Sequence, residues 1–146
     1  MTEPVATVLR PRLTHQGALI LLQAAIRKAD EMLLPQCIAI VDEGANLLAF
    51  VRMDGAKLLS EQPTMRKAMT AASDRVPTGD KDAALGDKLA SASDGRIVNL
   101  KGGLPVIVDG HVIGGIGVGS GTGEQDRIIA NAALAAFPGA TTFDYV

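Results

Sequence analysis

Aromatic side chains and cysteine are scarce in this sequence. Of its 146 residues, 3% are aromatic, none is Trp, and Cys37 is the only cysteine. A single cysteine excludes a disulfide scaffold, and its place in an apolar run is typical of a reduced thiol in a cytoplasmic protein. The chain has few rings to stack on bases, and its basic residues are scattered at a net charge of −2. We therefore expect no nucleic-acid partner.

Long apolar runs are also missing. The most apolar stretch, residues 17–26, contains Gln23 and is followed by Arg27 and Lys28, whereas a membrane span needs about 20 apolar residues. Residues 1–12 hold two prolines and lack the apolar core of a signal peptide. We therefore expect no membrane partner, an N-terminal arm at 1–12 and a single domain at 13–146.

Small and aliphatic side chains in regular patterns make up the rest of the chain. Helical spacing predicts helices at 14–32, after Ser60, at 82–90 and after Thr122. Short apolar runs predict strands at 36–41, 47–52, 96–100, 106–108 and 111–118. A Gly/Asn turn and an Asp-Gly turn join consecutive strands as hairpins. Hairpins imply a mainly antiparallel sheet with helices packed on it, which is an α+β fold.

The ends of these elements carry their own signals. Thr14, Ser60 and Thr122 each stand where a hydroxyl can accept a free first-turn amide, so we predict them as helix N-caps. Residues 102–105, Gly-Gly-Leu-Pro, read as a bend. The first helix is apolar on two sides, which predicts burial on both and hence a subunit interface in a homo-oligomer.

Glycine is concentrated in one part of the chain. Nine of the 16 glycines lie between Gly102 and Gly123, and this density predicts close approach of a ligand or of another backbone. A phosphate loop at 115–123 is one interpretation, but the segment lacks a true G-x-G-x-x-G or G-K-[ST] motif. Glu124 and Asp126 would also repel phosphate. A glycine-rich strand packed tightly against a helix is the favoured interpretation.

Several polar residues are candidates for a site, each with a plain alternative. Arg52 and Asp54 lie two apart at a strand end, where they either flank a cleft or pair on the surface. Lys67 either leaves its amine in water or binds a carboxylate in a cleft. His15 and His111 have no partner at metal-ligand spacing, although one histidine is enough to hold haem iron.

Several segments, taken in order, resemble the GlcG/HbpS-like family of haem-degrading or haem-binding proteins. They are Ile40–Ala56, Arg66–Ala72, Gly102–Ile107, Val112–Gly119 and Glu124–Asp126. The resemblance implies a profilin-like or PAS-like α/β fold, assembly into dimers to octamers, and haem binding in some members. In the related C-terminal domain of PduO-type cobalamin adenosyltransferases, a histidine of the first helix is thought to serve haem binding. His15 is the closest match to that histidine here.

Two functions follow from these features. In the first, a small-ligand-binding oligomer holds its ligand, for which haem is one candidate, between Arg52, Asp54, Gly102, Gly103 and Ser120. His15 is the axial ligand if haem binds.

The alternative is a cofactor-free isomerase, hydratase or hydrolase of a catabolic pathway. In it, Arg52 or Lys67 binds a substrate anion, and Glu124 or Asp126, if shielded from water, is the base. An accessory protein without chemistry is a third possibility.

Overall fold

The computed structural model of the protein describes residues 2–144. The first residue of the predicted arm and the last two of the predicted domain therefore lie outside the described residues. The described residues form four α-helices and four strands, in the following order: α1 (His15–Glu31), β1 (Cys37–Asp42), β2 (Leu47–Arg52), α2 (Glu61–Asp74), α3 (Ala83–Ala92), β3 (Gly103–Val108), β4 (His111–Gly119) and α4 (Gly123–Ala135). All strand pairs are antiparallel, in the order β2-β1-β4-β3. The predicted α+β fold is confirmed.

Two of the three predicted helix caps are confirmed. The Thr14 hydroxyl accepts a hydrogen bond from the Gly17 amide at 3.1 Å, and Thr122 Oγ1 accepts one from the Gln125 amide at 3.2 Å. The prediction for Ser60 is wrong, because its side chain makes no cap hydrogen bond. A short 3-10 turn leads into α2, so Ser60 has helical rather than extended backbone angles, and an N-cap needs the extended form.

Two predictions between α3 and β4 are wrong. Residues 96–100 form no strand, because side chains occupy their amides: Val98 N donates to Thr70 Oγ1 at 3.1 Å and Ile97 N to Ser93 Oγ at 2.8 Å. Most of the predicted bend at 102–105 is strand, since β3 begins at Gly103 and pairs Gly103 with Gly117 of β4. Its glycines serve close packing rather than a turn.

The sheet separates two layers of helices. On one face, α1 and α4 cover a large aliphatic core that includes Ile38, Ile40, Ile116 and Val118, all fully buried. On the other face, α2 packs its small residues Ala68 and Ala72 against β1. The alternation along β1 and β4 follows from the two-residue period of a strand. Among residues 2–144, no helix combines the length and the apolar character that a membrane span needs.

Glycines in β3 and β4 let the backbone of α2 lie directly on the sheet. A Cβ atom at Gly115 would overlap the carbonyl oxygen of Ala68, one at Gly117 that of Thr64, and one at Gly103 that of Lys67. The glycine concentration therefore reflects tight packing of a strand against a helix, as the favoured interpretation predicts. This close approach also brings Lys67 to the C-terminal end of β4, where the candidate site lies.

Candidate functional site

A buried ion pair joins the two helical layers at the end of β4. Lys67 Nζ on α2 lies 3.0 Å from Asp126 Oδ2 on α4, and the two side chains are 7% and 2% exposed. The same ammonium donates to Val118 O at 2.9 Å, and the Gly121 amide donates to Asp126 Oδ1 at 3.1 Å. The Lys67 amine is therefore directed at a carboxylate inside the protein, not at solvent.

Burial sets the protonation behaviour of this carboxyl group. Desolvation raises the pKa of Asp126 above its ordinary value, although the Lys67 charge and hydrogen bond, the Gly121 amide and the Lys57 charge all act in the opposite direction. A carboxyl group with a raised pKa holds its proton closer to neutral pH than a surface Asp. A buried carboxyl group with a raised pKa is a candidate for proton transfer.

Two fully buried side chains beside the ion pair have no hydrogen-bond partner. They are Gln36, of which both Oε1 and Nε2 are unpaired, and Thr64, of which Oγ1 is unpaired. A Cβ built on Gly121 would lie 3.0 Å from Gln36 Nε2 and 2.9 Å from Asp126 Oδ1. A Cβ on Gly119 would overlap Thr64 Oγ1 and lie 3.7 Å from Lys67 Nζ. Gln36, Thr64, Lys67 and Asp126 therefore converge on residues 119–121, and we call these four side chains the buried polar centre.

Glycine and a strained serine surround this centre. Gly102 has φ +124°, and a Cβ there would lie 2.8 Å from Asp126 Cβ and 3.0 Å from Lys67 Nζ. Ser120 has φ +99°, which is unusual for a residue with a side chain, and its Oγ accepts a hydrogen bond from Lys57 N at 2.9 Å. The predicted site residues Lys67, Asp126, Gly102, Gly103 and Ser120 thus lie in one region.

The structure separates the two carboxylates that the sequence offered as a base. Glu124 is exposed and forms an ion pair with Lys101 at 3.1 Å. A hydrogen bond from its own backbone amide lowers the pKa of Glu124, and Lys101 lowers it further. Shielding from water, the condition set for a base, is met by Asp126 and not by Glu124.

Arg52 and Asp54 lie in a different place from the buried polar centre. Both line an open cleft of about 590 Å³ between the end of α1 and the end of β2, together with Ile26 and Asp30. Arg52 Nη1 also pairs with Glu61 Oε1 at 3.6 Å. Gly102, Gly103 and Ser120 do not line this cleft, so the predicted ligand residues divide into two groups.

The two histidines are both at the surface. His15 is the first residue of α1 and is exposed, and one helical turn later Leu19 is 43% exposed. The rise of an α-helix places His15 about 16 Å from Ile26 of the cleft, so the two features are separate. His111 begins β4 and lines a small groove with Arg10 and Arg75. Within residues 2–144, no group of three or more His, Cys, Asp or Glu is arranged to hold a metal ion.

Cys37 has no exposed thiol for nucleophilic chemistry. It is buried at the start of β1, and its Sγ donates to Lys57 O at 3.8 Å. Burial raises the pKa of this thiol, and the charge of Glu61 raises it further. Since the thiolate is the reactive form, the group is inert.

Gln36 and Thr64 are the site residues that the sequence did not reveal. Gln36 follows Pro35 at the start of an apolar run, and Thr64 lies beside Pro63 in the first turn of α2. Either position is ordinary for a polar residue at the end of an element. Only the packing of α2 and α4 against the end of β4 brings each of them close to the ion pair.

The architecture defines a class: a small α+β protein with α2 on one face of a four-stranded antiparallel sheet and α1 and α4 on the other. The chain belongs to the HbpS-like family, since the family described as "Haem degrading protein HbpS-like" matches residues 13–135.

Relatives of known sequence or structure agree with this assignment. A 15.0 kDa protein encoded between dhaT and dhaS in Citrobacter freundii is 39% identical over 141 residues, which cover 93% of this chain and 96% of that protein. The crystal structure of protein ORFY of Klebsiella pneumoniae is 32% identical with a TM-score of 0.85, covering 92% of this chain and 97% of that one. The crystal structure of a PduOC:haem complex is 29% identical with a TM-score of 0.83, covering 92% and 100%.

Proposed function

We propose that the chain is a cytoplasmic, homo-oligomeric small-ligand-binding protein that binds haem at the N-terminal end of α1, with His15 as the axial ligand. One observation carries the proposal. His15 presents an exposed imidazole at a helix end, with the exposed apolar side chain of Leu19 one helical turn later. The haem complex formed by the PduOC relative supports haem as the ligand, while the choice of His15 rests on its exposure at the helix end.

The chemistry of these residues fits haem. Neutral imidazole is a common axial ligand of haem iron, and one such ligand is sufficient. Leu19, one turn after His15 on α1, offers apolar surface to a porphyrin. One helix end leaves much of a porphyrin uncovered, and a second copy of the chain would cover it. When bound, haem supplies a redox-active iron.

A titration of the purified protein with haemin tests this proposal. We expect a saturable shift of the Soret band that is lost in His15→Ala. His111→Ala is the matched control, because His111 is the other histidine, is also exposed, and begins a strand instead of α1. Equal haemin binding by wild type and His15→Ala would contradict the assignment of the axial ligand.

The buried polar centre favours a second candidate function. In it, the chain is a cofactor-free enzyme in which Asp126 transfers a proton and Lys67 holds the negative charge of a small metabolite. The observation behind it is the raised pKa of a carboxyl group that is held 3.0 Å from an ammonium.

Incorporation of solvent deuterium into pyruvate, followed by NMR, measures proton transfer at carbon with a small carboxylate as a general probe. We expect wild type and Glu124→Gln to catalyse exchange and Asp126→Asn to lose it. Glu124 is the matched control because it lies on the same helix turn but in solvent. Exchange by Asp126→Asn at the wild-type rate would exclude Asp126 as the base.

A further inference from the structure

We propose that the buried polar centre is a binding site for one small monocarboxylate, and that residues 119–121 move to admit it. The proposal uses the residues of the second candidate function. Binding, however, does not require turnover, so the protein can bind a carboxylate at this site without being an enzyme. It is also independent of haem binding at His15.

The unpaired atoms of Gln36 and Thr64 point to an occupant. Three side-chain atoms near the end of β4 have neither solvent nor a hydrogen-bond partner: Gln36 Oε1 and Nε2, on the side of Gly121, and Thr64 Oγ1, on the side of Gly119. An unpaired polar atom inside a protein costs folding free energy, so native structures seldom retain one without an occupant. Two such side chains, one on each side of residues 119–121 and both beside a buried ion pair, therefore indicate that something polar binds at this end of β4.

The chemistry of the free groups selects an anion with two acceptor oxygens. The Lys67 ammonium has three protons, of which Val118 O and Asp126 Oδ2 take two. The third proton, the Thr64 hydroxyl and the Gln36 amide group are donors available to a ligand. A carboxylate has two oxygens that accept several hydrogen bonds, whereas an organic ammonium would compete with Lys67 for Asp126.

Charge balance in the buried centre couples binding to a proton. With Asp126 ionised, the centre is neutral, and a bound carboxylate would leave one uncompensated negative charge. Asp126 therefore takes one proton from solvent as the ligand enters, and the Lys67–ligand pair replaces the Lys67–Asp126 pair. The raised pKa of Asp126 makes this uptake easier. Lys67 and Lys57 are the cations that act on Asp126, while Lys101 and Glu124 pair on the exposed side of α4.

The packing around residues 119–121 limits the ligand to a few heavy atoms and identifies the part that must move. The clefts described above do not reach Gln36 or Thr64, and the glycines at 119 and 121 lie against the polar groups themselves. Ser120 between them has a left-handed φ of +99° and is tied to Lys57 N by one hydrogen bond. Backbone strain of this kind is found most often at segments that clamp a ligand or switch conformation.

Isothermal titration calorimetry of the full chain with sodium acetate tests the proposal, with acetamide and methylammonium chloride as neutral and cationic analogues. We expect saturable binding of acetate only. Titrations in two buffers of different ionisation enthalpy should show uptake of one proton. Affinity should fall about tenfold per pH unit above the pKa of Asp126, because each bound acetate then requires a proton.

Gln36→Leu and Thr64→Val remove the proposed contacts, and thermal unfolding followed by circular dichroism verifies that each variant is folded. Each should weaken acetate binding at least tenfold, while Glu31→Gln, at the exposed end of α1 where Glu31 pairs with Lys28, should bind as wild type. Acetate affinity unchanged in both Gln36→Leu and Thr64→Val would overturn the proposal. So would the absence of saturable acetate binding in wild type, or a crystal grown with acetate in which only water contacts Gln36 and Thr64. Acetate binding without deuterium exchange into pyruvate would support the site and contradict the enzyme.

Discussion

The Lys67–Asp126 ion pair gives the sharpest test of how the two helical layers are joined. Lys67→Met keeps the length and apolar stem of the side chain but removes its charge, which leaves Asp126 buried at 2% exposure without its cation. Removal of one partner of a buried pair typically costs about 3–5 kcal/mol of unfolding free energy. We expect a loss of this size in urea unfolding at pH 7, followed by circular dichroism.

The pH dependence of this loss identifies its cause. The folded-state pKa of Asp126 is raised, and without Lys67 it rises further because the main cation that lowers it is gone. A raised carboxyl pKa stabilises the folded state below the ordinary value of about 3.9, and this stabilisation is lost as pH rises through the folded pKa. Lys67→Met should therefore be closest to wild type in acid and furthest from it at neutral pH.

Two further variants complete this experiment. Lys67→Met combined with Asp126→Leu should recover most of the lost stability, because no unpaired charge then remains buried. Lys101→Met breaks the exposed pair with Glu124 and should have little effect. A small loss of unfolding free energy in Lys67→Met, or a large loss that does not change with pH, would refute the reasoning. In either case the cost would not come from a buried Asp126 carboxylate without its cation.

Two predictions concern packing and capping. Gly117→Ala should lower the thermal unfolding midpoint sharply, because its Cβ would overlap the backbone carbonyl of Thr64. In Gly44→Ala the added Cβ would approach side-chain atoms, Asn46 Nδ2 at 2.9 Å and Asp42 Oδ1 at 3.5 Å, instead of backbone. This variant should not lower the midpoint, and equal midpoints for both variants would contradict the packing argument. Thr122→Ala should cost about 1 kcal/mol in urea unfolding, because it loses a cap. Ser60→Ala, which loses no cap, should cost almost nothing, and a reversed order would contradict the cap assignment.

Local patterns were sufficient to predict most of the fold. Thr14 and Thr122 cap their helices with their own hydroxyls, so the signal and the structure involve neighbouring residues. The strand prediction for 96–100 was wrong because the deciding contacts there include one from a residue far away in sequence. Its amides are taken by Thr70, which lies on α2, and by Ser93, and a contact between α2 and a distant loop leaves no pattern in either segment.

In the candidate site, too, local patterns identified some residues, whereas contacts between distant segments decided the role of the others. Glu124 and Asp126 look alike in sequence, but two residues correspond to about 200° around a helix, so one side chain faces solvent and the other is buried. Lys67 has a long stem that suits either solvent or the interior, and packing decides between them. Gln36 and Thr64 lie near the ion pair only because the residue before β1 and the first turn of α2 both pack against residues 119–121, which no single segment encodes.

Resonance Raman spectroscopy of the ferrous haem complex tests the central claim most directly, because it reports the bond between iron and its histidine ligand. We expect an iron–histidine stretching band in wild type and in His111→Ala, and its loss in His15→Ala. A band that persists in His15→Ala, or a wild-type complex without one, would contradict haem ligation by His15 at the start of α1.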